Sequence, residues 1–147
     1  LALEIKTWAI QNNIEKLKIF LPSGTGTTAL YLQKHLPFEV LTCACVGDKE
    51  YLQKQFEMLE KDKFPTILEN SKKYHFGKLY KEFFEIHNEL LKQTNIEFDL
   101  LYDSLGWICI DNYIKNTNIE TYKILYIHQG GIIGNASMKE RYLHKYN

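Results

Sequence analysis

Short runs of β-forming apolar residues alternate with stretches of helical periodicity, and this alternation constrains the fold more than any other feature. The apolar runs predict four strands, at residues 17–21, 38–46, 66–69 and 122–127. The spacing elsewhere predicts helices at residues 27–35, 49–61, 79–93, 105–114 and 135–146. Asp48 is the expected N-cap of the second of these helices. Strands joined by crossover helices pair in parallel, so we expect an α/β fold: a mostly parallel three-layer sheet with helices on both faces.

Length, charge and cysteine content narrow the class of protein. The chain has 147 residues, and we expect residues 1–147 to form a single α/β domain. Its formal net charge is zero, which gives no electrostatic basis for binding nucleic acid or an acidic membrane. No apolar stretch is long enough to span a bilayer. Cys43, Cys45 and Cys109 are too few for a disulfide framework, so we expect buried free thiols and a reducing, cytoplasmic setting.

The first residues have the apolar spacing of a helix that is already under way. Leu1, Ile5, Trp8 and Ala9 fit one helical stripe, and neither a methionine nor a capping residue precedes them. We therefore expect the chain to be a piece of a longer protein. The alternative is a chain that lacks only its initiator residue.

A segment of small residues, 23–28, reads SGTGTT and lies between the first predicted strand and the helix after it. Ligands of open parallel sheets bind at the carboxyl ends of strands, where this segment falls. Glycines let backbone N–H groups face a ligand, and the unpaired first N–H groups of a helix favour an anion. The segment therefore predicts a phosphate cradle. The alternative is an ordinary loop with an N-cap.

The residues of this segment bear on whether its ligand is a dinucleotide or a phosphate monoester. The segment contains Gly24-x-Gly26-x-x-Ala29, a loose form of the dinucleotide fingerprint, and Asp48 lies near the distance expected of a ribose-binding acid. However, the hydroxyl side chains of the segment suit a terminal phosphate monoester, which has three acceptor oxygens. Pro22 also lies where the strand of a dinucleotide loop normally continues. We favour the monoester, and the dinucleotide stays open as the competing interpretation.

Four stretches resemble, in order, segments of known enzymes. LPSGTGTTALYL (residues 21–32) resembles the phosphate loop of fold-type II enzymes that use pyridoxal 5′-phosphate. HFGKLY (75–80), DLLYDSLGWICI (99–110) and YIHQGGIIGNASMKERY (126–142) resemble segments of the 1-aminocyclopropane-1-carboxylate deaminase and D-cysteine desulfhydrase family. The resemblance implies the fold-type II architecture. It also implies a deaminase or lyase that converts small amino acids to a 2-oxo acid and ammonia.

The resemblance assigns binding of the cofactor to the glycine–threonine segment. It implies that four residues hold the cofactor phosphate: Thr25, Gly26, Thr27 and Thr28. Two more residues, Ser23 and Gly24, would shape the turn.

The resemblance also implies three catalytic residues. Asp103 matches the acidic position that faces the pyridine nitrogen of the cofactor, where a carboxylate keeps that nitrogen protonated and strengthens the electron sink. Tyr102 and Tyr80 match the two tyrosines on the substrate side of the ring. A tyrosine acts there as proton donor, or as acceptor or nucleophile if its pKa is lowered. His128 and the turn at residues 130–131 are expected under the cofactor, with His128 in a structural role.

The lysine that binds the cofactor covalently in this family has no counterpart here. In the family, that lysine, a serine base and the loop for the substrate carboxylate precede the phosphate loop, and residues 1–16 hold none of these patterns. The resemblance therefore implies the C-terminal portion of a longer enzyme that is inactive alone. Its partners would be a small amino-acid substrate, the missing N-terminal half and a second copy in a homodimer. The alternative is a dinucleotide-binding or regulatory Rossmann-like module without catalysis.

Overall fold

The computed structural model describes residues 1–118 and 121–146 and has an α/β architecture. The strands of this part of the chain are β1, Leu17–Ser23; β2, Glu39–Ala44; β3, Thr66–Leu68; and β4, Lys123–Tyr126. The α-helices are α1, Ala2–Gln11; α2, Thr27–His35; α3, Lys49–Leu59; α4, Lys81–Thr94; α5, Asp103–Asn116; and α6, Asn135–Tyr146. A 3₁₀ turn, Ile132–Gly134, precedes α6.

The four strands form one sheet in the order β3-β2-β1-β4, and all neighbouring strands are parallel. Successive side chains of a strand point to opposite faces. Phe20 of β1 accordingly packs on one face, whereas Ile19 and Leu21 pack on the other. Because both faces are apolar, both must be covered, and this is the condition for an open parallel sheet.

The helices cover the two faces of the sheet in sequence order. Helices α1 and α2 pack on the face that carries Ile19, and α3 packs beside α2 through Leu52 and Phe56. Helices α4, α5 and α6 cover the opposite face. The predicted α/β fold with three layers is therefore confirmed. Of the helices in the described part of the chain, none combines the length and apolar character that crossing a bilayer requires.

Local signals placed most helices within a few residues. Asp48 caps α3 as predicted, since its carboxylate accepts a hydrogen bond of 2.9 Å from the backbone N–H of Tyr51. The apolar stripe of α1 is only half right, because Ile5 and Ala9 are buried but Leu1 and Trp8 are exposed. The three cysteines are free and buried, as expected.

The strand β1 runs further than predicted and passes through Pro22 to Ser23. Pro22 is paired in register with Cys43 of β2, but pairing with β4 ends at Phe20. A proline without an N–H is tolerated where a strand has no neighbour to receive that bond. Pro22 therefore does not interrupt the strand, and the sequence argument that used it against a dinucleotide loop is wrong.

The last strand is less buried than predicted. β4 pairs with β1 on one side, and no second neighbour is found among the described residues. Its apolar residues are only partly buried, although the sequence KILY resembles a central strand. Apolar sequence alone does not distinguish an inner strand from an edge strand, because that depends on which strands are present beside it.

Candidate functional site

A cavity of about 490 Å³ opens at the carboxyl ends of β1, β2 and β4. Parallel strands all end at this edge, so the loops that follow them meet there. Three segments form the walls: the loop between β1 and α2, the segment before α5 and the turn after β4. The lining residues are Pro22, Ser23, Gly24, Thr25, Gly26, Thr27, Thr28, Val46, Asp99, Leu101, Tyr102, Gln129, Gly130 and Gly131.

The first wall is the predicted glycine–threonine loop. Ser23 is buried and its hydroxyl lies 2.6 Å from the hydroxyl of Thr42 in β2, which fixes the start of the turn. Gly26 has a φ of +76°, and a Cβ at this position would lie 2.4 Å from a ring carbon of Phe56. Only glycine fits this combination of left-handed backbone and close packing.

The N-terminus of α2 has donors without partners inside the helix. No side chain caps this helix, and its first N–H groups have no intrahelical acceptor. Thr25, Thr27 and Thr28 are exposed at this end, and among the described residues their hydroxyls form one hydrogen bond, a long one of 3.4 Å between Thr25 and Thr27. Hydroxyls, N–H groups and the helix dipole together form a site with the chemistry that an anion requires.

The second wall is held by Asp99. One carboxylate oxygen of Asp99 accepts hydrogen bonds of 2.7 Å from the backbone N–H groups of Leu101 and Tyr102. The other accepts one from Asp103 N at 3.1 Å. This capping explains why α5 begins at residue 103 rather than at the predicted 105. Tyr102 lies beside Gly24 of the first wall, since a Cβ on Gly24 would be 3.6 Å from the Tyr102 hydroxyl. Burial, together with Cys45 and Asp99, raises the pKa of the Tyr102 phenol, so the phenol is a proton donor.

The third wall is the turn that follows β4. Gly130 and Gly131 both have left-handed backbones, with φ of +82° and +80°. The Gly130 N–H donates to His128 Nδ1 at 3.0 Å, so the hydrogen of this imidazole is on Nε2, which donates to the carbonyl of Glu97 at 2.8 Å. His128 therefore holds the turn, as the expected structural role requires. Gln129 Nε2 donates to Pro22 O at 2.8 Å and joins this wall to the first.

The predicted catalytic residue Asp103 lies behind the cavity wall. Its side chain is 1% exposed and is not among the lining residues. One carboxylate oxygen accepts a hydrogen bond of 2.7 Å from the hydroxyl of Tyr126, and the other lies 3.2 Å from Asp99 N. The pKa of Asp103 is raised to about 7, mainly by burial and also by the neighbouring Asp99, while the Tyr126 hydrogen bond opposes the rise.

The predicted Tyr80 lies in an aromatic core, away from the cavity. It is 9% exposed, its hydroxyl accepts a hydrogen bond from His75 N at 2.9 Å, and its ring packs on Tyr74 and Phe83. Phe76, in the same quoted stretch, contacts Tyr102 instead, with 5.2 Å between ring centroids. The structure thus brings Tyr102 and the loop residues together at the cavity but does not bring Tyr80 to them.

Sequence reasoning missed two polar side chains of the cavity, Asp99 and Gln129. A local signal for Asp99 was present, because it lies four residues before Asp103 at the start of a helix, where carboxylates commonly cap. No local signal marks Gln129, whose partner Pro22 is 107 residues away. Among the described residues, no lysine, arginine or histidine lines the cavity, and no cluster of metal-binding side chains is found.

Comparison with known proteins gives one informative result. No family model and no curated protein matches the sequence. A solved structure, "Crystal Structure Analysis of the ACC deaminase homologue", has a similar fold, with a TM-score of 0.72 and 18% sequence identity. The alignment covers 97% of this chain and 48% of that chain, so this chain spans about half the length of its structural neighbour. At this identity the likeness shows a shared fold.

Proposed function

We propose that the chain is the C-terminal, cofactor-phosphate-binding portion of a pyridoxal-phosphate-dependent deaminase or lyase that acts on small amino acids. The observation that carries the proposal is the uncapped, hydroxyl-rich N-terminus of α2, which opens into a cavity of about 490 Å³. The fold shared with an ACC deaminase homologue supports the same reaction class. The products would be a 2-oxo acid and ammonia, with 1-aminocyclopropane-1-carboxylate and D-cysteine as candidate substrates.

The residues of the loop fit the phosphate of pyridoxal 5′-phosphate. Thr25, Thr27 and Thr28 supply hydroxyl donors, and Gly26 provides the left-handed backbone of the turn against Phe56 and Leu52. The dianion carries three acceptor oxygens, which neutral donors and a helix N-terminus satisfy without a cationic side chain. When bound, the cofactor supplies an electron sink for a carbanion. The chain itself would hold the phosphate through Thr25, Gly26, Thr27 and Thr28, and Tyr102 and the turn at residues 130–131 would border the bound cofactor.

The three residues that the family resemblance predicts to be catalytic take different parts in this proposal. Tyr102 borders the cavity as a neutral phenol, and it would hand a proton to the substrate or take part in a hydrogen bond to it. For Asp103 to contact the ring nitrogen of the bound cofactor, the wall formed by Asp99 and Tyr102 would have to open, because Asp103 is buried behind it. Tyr80 would support the loop of Phe76 through its hydrogen bond to His75 N.

The proposal requires partners outside this chain. No lysine lines the cavity in the described residues, so the lysine that holds the cofactor would come from the missing N-terminal half. The structural neighbour is about twice as long as the aligned region, in keeping with a second half of similar size. We also propose a homodimer. The three buried, unpaired cysteines support a reducing, cytoplasmic setting.

Binding to the loop can be measured on the chain itself. We expect inorganic phosphate and pyridoxal 5′-phosphate to shift the amide signals of residues 24–29 in NMR titrations. Thr25→Ala combined with Thr28→Ala should weaken both ligands about tenfold or more, because each lost charge-assisted hydrogen bond is worth roughly 1–3 kcal/mol. Thr7→Ala removes an exposed hydroxyl of α1 and is the matched control. Shifts that avoid the loop, or equal affinity in the double variant, would contradict the proposal.

A second function, dinucleotide binding without catalysis, is favoured by one specific observation. The order β3-β2-β1-β4 is the order of the first four strands of the doubly wound nucleotide-binding fold. The Gly24-x-Gly26 loop follows β1 and Asp48 follows β2, as in that fold. Thermal unfolding with pyridoxal 5′-phosphate or NAD at equal concentration separates the two functions, since a ligand protects the state that binds it. Protection by NAD alone would favour the second function.

A further inference from the structure

One hydrogen bond, between two residues that do not line the cavity, connects the segments that form two of its walls. The hydroxyl of Tyr126, in β4, donates to Asp103 Oδ1 at 2.7 Å, at the start of α5. Tyr102 immediately precedes Asp103 and forms part of the second wall, while the third wall, Gln129–Gly131, follows three residues after Tyr126. The position of β4 relative to the N-terminus of α5 therefore sets the distance between these walls.

The phenol of Tyr126 reaches Asp103 because Gly106 has no side chain. A Cβ on Gly106 would lie 2.8 Å from the Tyr126 hydroxyl oxygen and 3.2 Å from side-chain carbons of Pro22. Gly106 lies inside α5, where glycine costs roughly 0.5–1 kcal/mol relative to alanine. A helix-interior glycine with this close contact marks a point where α5, β4 and the end of β1 converge.

The ring of Tyr126 is fixed by its neighbours. It stacks on Trp107 with 4.4 Å between centroids and an angle of 4°, and it also contacts Phe98 and Phe20. Burial and the Asp103 charge raise the pKa of the Tyr126 phenol far above its ordinary value, so it remains protonated and donates. The other titratable groups that act on this pair are Asp99 before α5 and Cys43 and Cys45 of β2 and its end.

We infer that Tyr126 is a positioning residue of the candidate site. Its hydrogen bond to Asp103, for which Gly106 leaves room, fixes the position of the wall that contains Tyr102 relative to the wall formed by Gln129–Gly131. The hydrogen bond is a property of the chain alone, whereas its meaning for cofactor binding rests on the proposed function. Asp103 thus has a defined task in this chain, which is to anchor the start of α5 to the sheet through a phenol.

The first test measures the carboxyl group directly in the protein without ligand. Aspartate labelled with ¹³C at the carboxyl carbon gives a titration curve for Asp103, assigned by its loss in Asp103→Asn. In Tyr126→Phe the ring stack remains and only the donor is lost, so the midpoint of Asp103 should rise by about one pKa unit. Gly106→Ala should shift it in the same direction by displacing the phenol, and the double variant should add little.

Two matched controls separate positioning from general damage. Tyr142→Phe removes the hydroxyl of another buried tyrosine, in α6, and Gly134→Ala adds a Cβ that has no described atom within 4 Å. Neither should move the Asp103 midpoint. The amide signals of Tyr102 and Gly130 should shift together in Tyr126→Phe and in Gly106→Ala, but not in the controls.

The outcomes also distinguish this inference from the proposed function. Pyridoxal 5′-phosphate should bind Tyr126→Phe about threefold to tenfold more weakly than wild type, while Tyr142→Phe binds normally. An unchanged Asp103 midpoint, or a changed midpoint with unmoved signals from both walls, would overturn the inference. If the wild-type chain binds no pyridoxal 5′-phosphate, the proposed function fails, and the titration and the wall signals still decide the role of Tyr126.

Discussion

At the scale of single residues, Asp99 and Asp103 show that environment decides what a carboxylate does. Asp99 accepts three backbone N–H hydrogen bonds and caps α5 at the cavity wall. Asp103, four residues later, is almost fully buried and receives one phenol and one backbone N–H. Desolvation therefore dominates at Asp103 and raises its pKa to about 7. An aspartate therefore caps a helix at position 99, whereas at position 103 burial disfavours the charged form of the same side chain.

Asp103→Asn should change how stability depends on pH. The Asp103 pKa is higher in the folded protein, about 7, than in the unfolded chain, about 3.9, so its contribution to stability is fully present below pH 4 and is lost as pH rises through 7. Asparagine does not titrate. We therefore expect the stability of the variant relative to wild type to rise between pH 4.5 and 8, by up to a few kcal/mol at about 1.4 kcal/mol per pKa unit.

Urea unfolding at several pH values measures this difference. A constant offset is expected as well, because the asparagine amide cannot accept from both Tyr126 and Asp99 N. Only the slope with pH tests the buried charge. Parallel stability curves for the two proteins would show that Asp103 does not titrate near neutral pH.

At the scale of secondary-structure elements, the site depends on α6 although α6 does not line it. Asn135, the first residue of α6, accepts from Leu100 N at 3.0 Å and donates to Phe98 O at 2.9 Å and to Glu97 Oε1 at 3.0 Å. These bonds hold the segment that carries Asp99. The C-terminal helix therefore fixes the second wall of the cavity through one buried amide.

Asn135→Ala should destabilise the fold and loosen the second wall. It leaves the N–H of Leu100 and the carbonyl of Phe98 without these partners, which costs about 2–3 kcal/mol in total. Ser137→Ala in the same helix removes one exposed hydrogen bond to Gly134 O and is the control, with an expected loss below about 0.5 kcal/mol. Chemical denaturation gives both values, and amide hydrogen exchange at residues 99–102 should accelerate only in Asn135→Ala. A loss equal to that of Ser137→Ala would show that the clamp is unimportant.

At the scale of the whole molecule, the cavity presents the uncapped N-terminus of α2, and no cationic side chain lines it among the described residues. The walls supply neutral donors, one carboxylate and one phenol within the described residues. We propose that this site binds an anion reversibly, since no amine that could form a covalent bond is found among its lining residues. Within the described residues β4 pairs only with β1, and the alignment with the ACC deaminase homologue covers 48% of that chain.

Covalent labelling tests directly whether any lysine of this chain bonds to the cofactor at the cavity. After incubation with pyridoxal 5′-phosphate and reduction with borohydride, we expect weak labelling spread over surface lysines and no dominant site by mass spectrometry. Excess inorganic phosphate should not change the pattern, because the cradle holds no lysine. One lysine labelled stoichiometrically, and protected by phosphate, would mean that a complete cofactor site exists within this chain.

Local chemistry determined the features that the sequence alone could predict. The alternation of apolar runs and helical spacing specified an α/β fold with a parallel sheet, and Asp48 and the segment 23–28 were recognisable because caps and glycine turns depend on adjacent residues. Tyr102 was assigned by the family resemblance rather than by a local signal, and the structure places it in the lining of the cavity.

The tertiary structure alone decided the features that depend on contacts between distant segments. Asp103 contacts a phenol rather than the cavity because of the position of β4, which begins 20 residues later in the chain. Similarly, the packing of α4 decides that Phe76 rather than Tyr80 contacts Tyr102. Pro22 fits within strand β1 because the pairing of β1 with β4 ends at Phe20. Burial, and the pKa values that follow from it, are properties of packed neighbours, and a linear sequence does not list those neighbours.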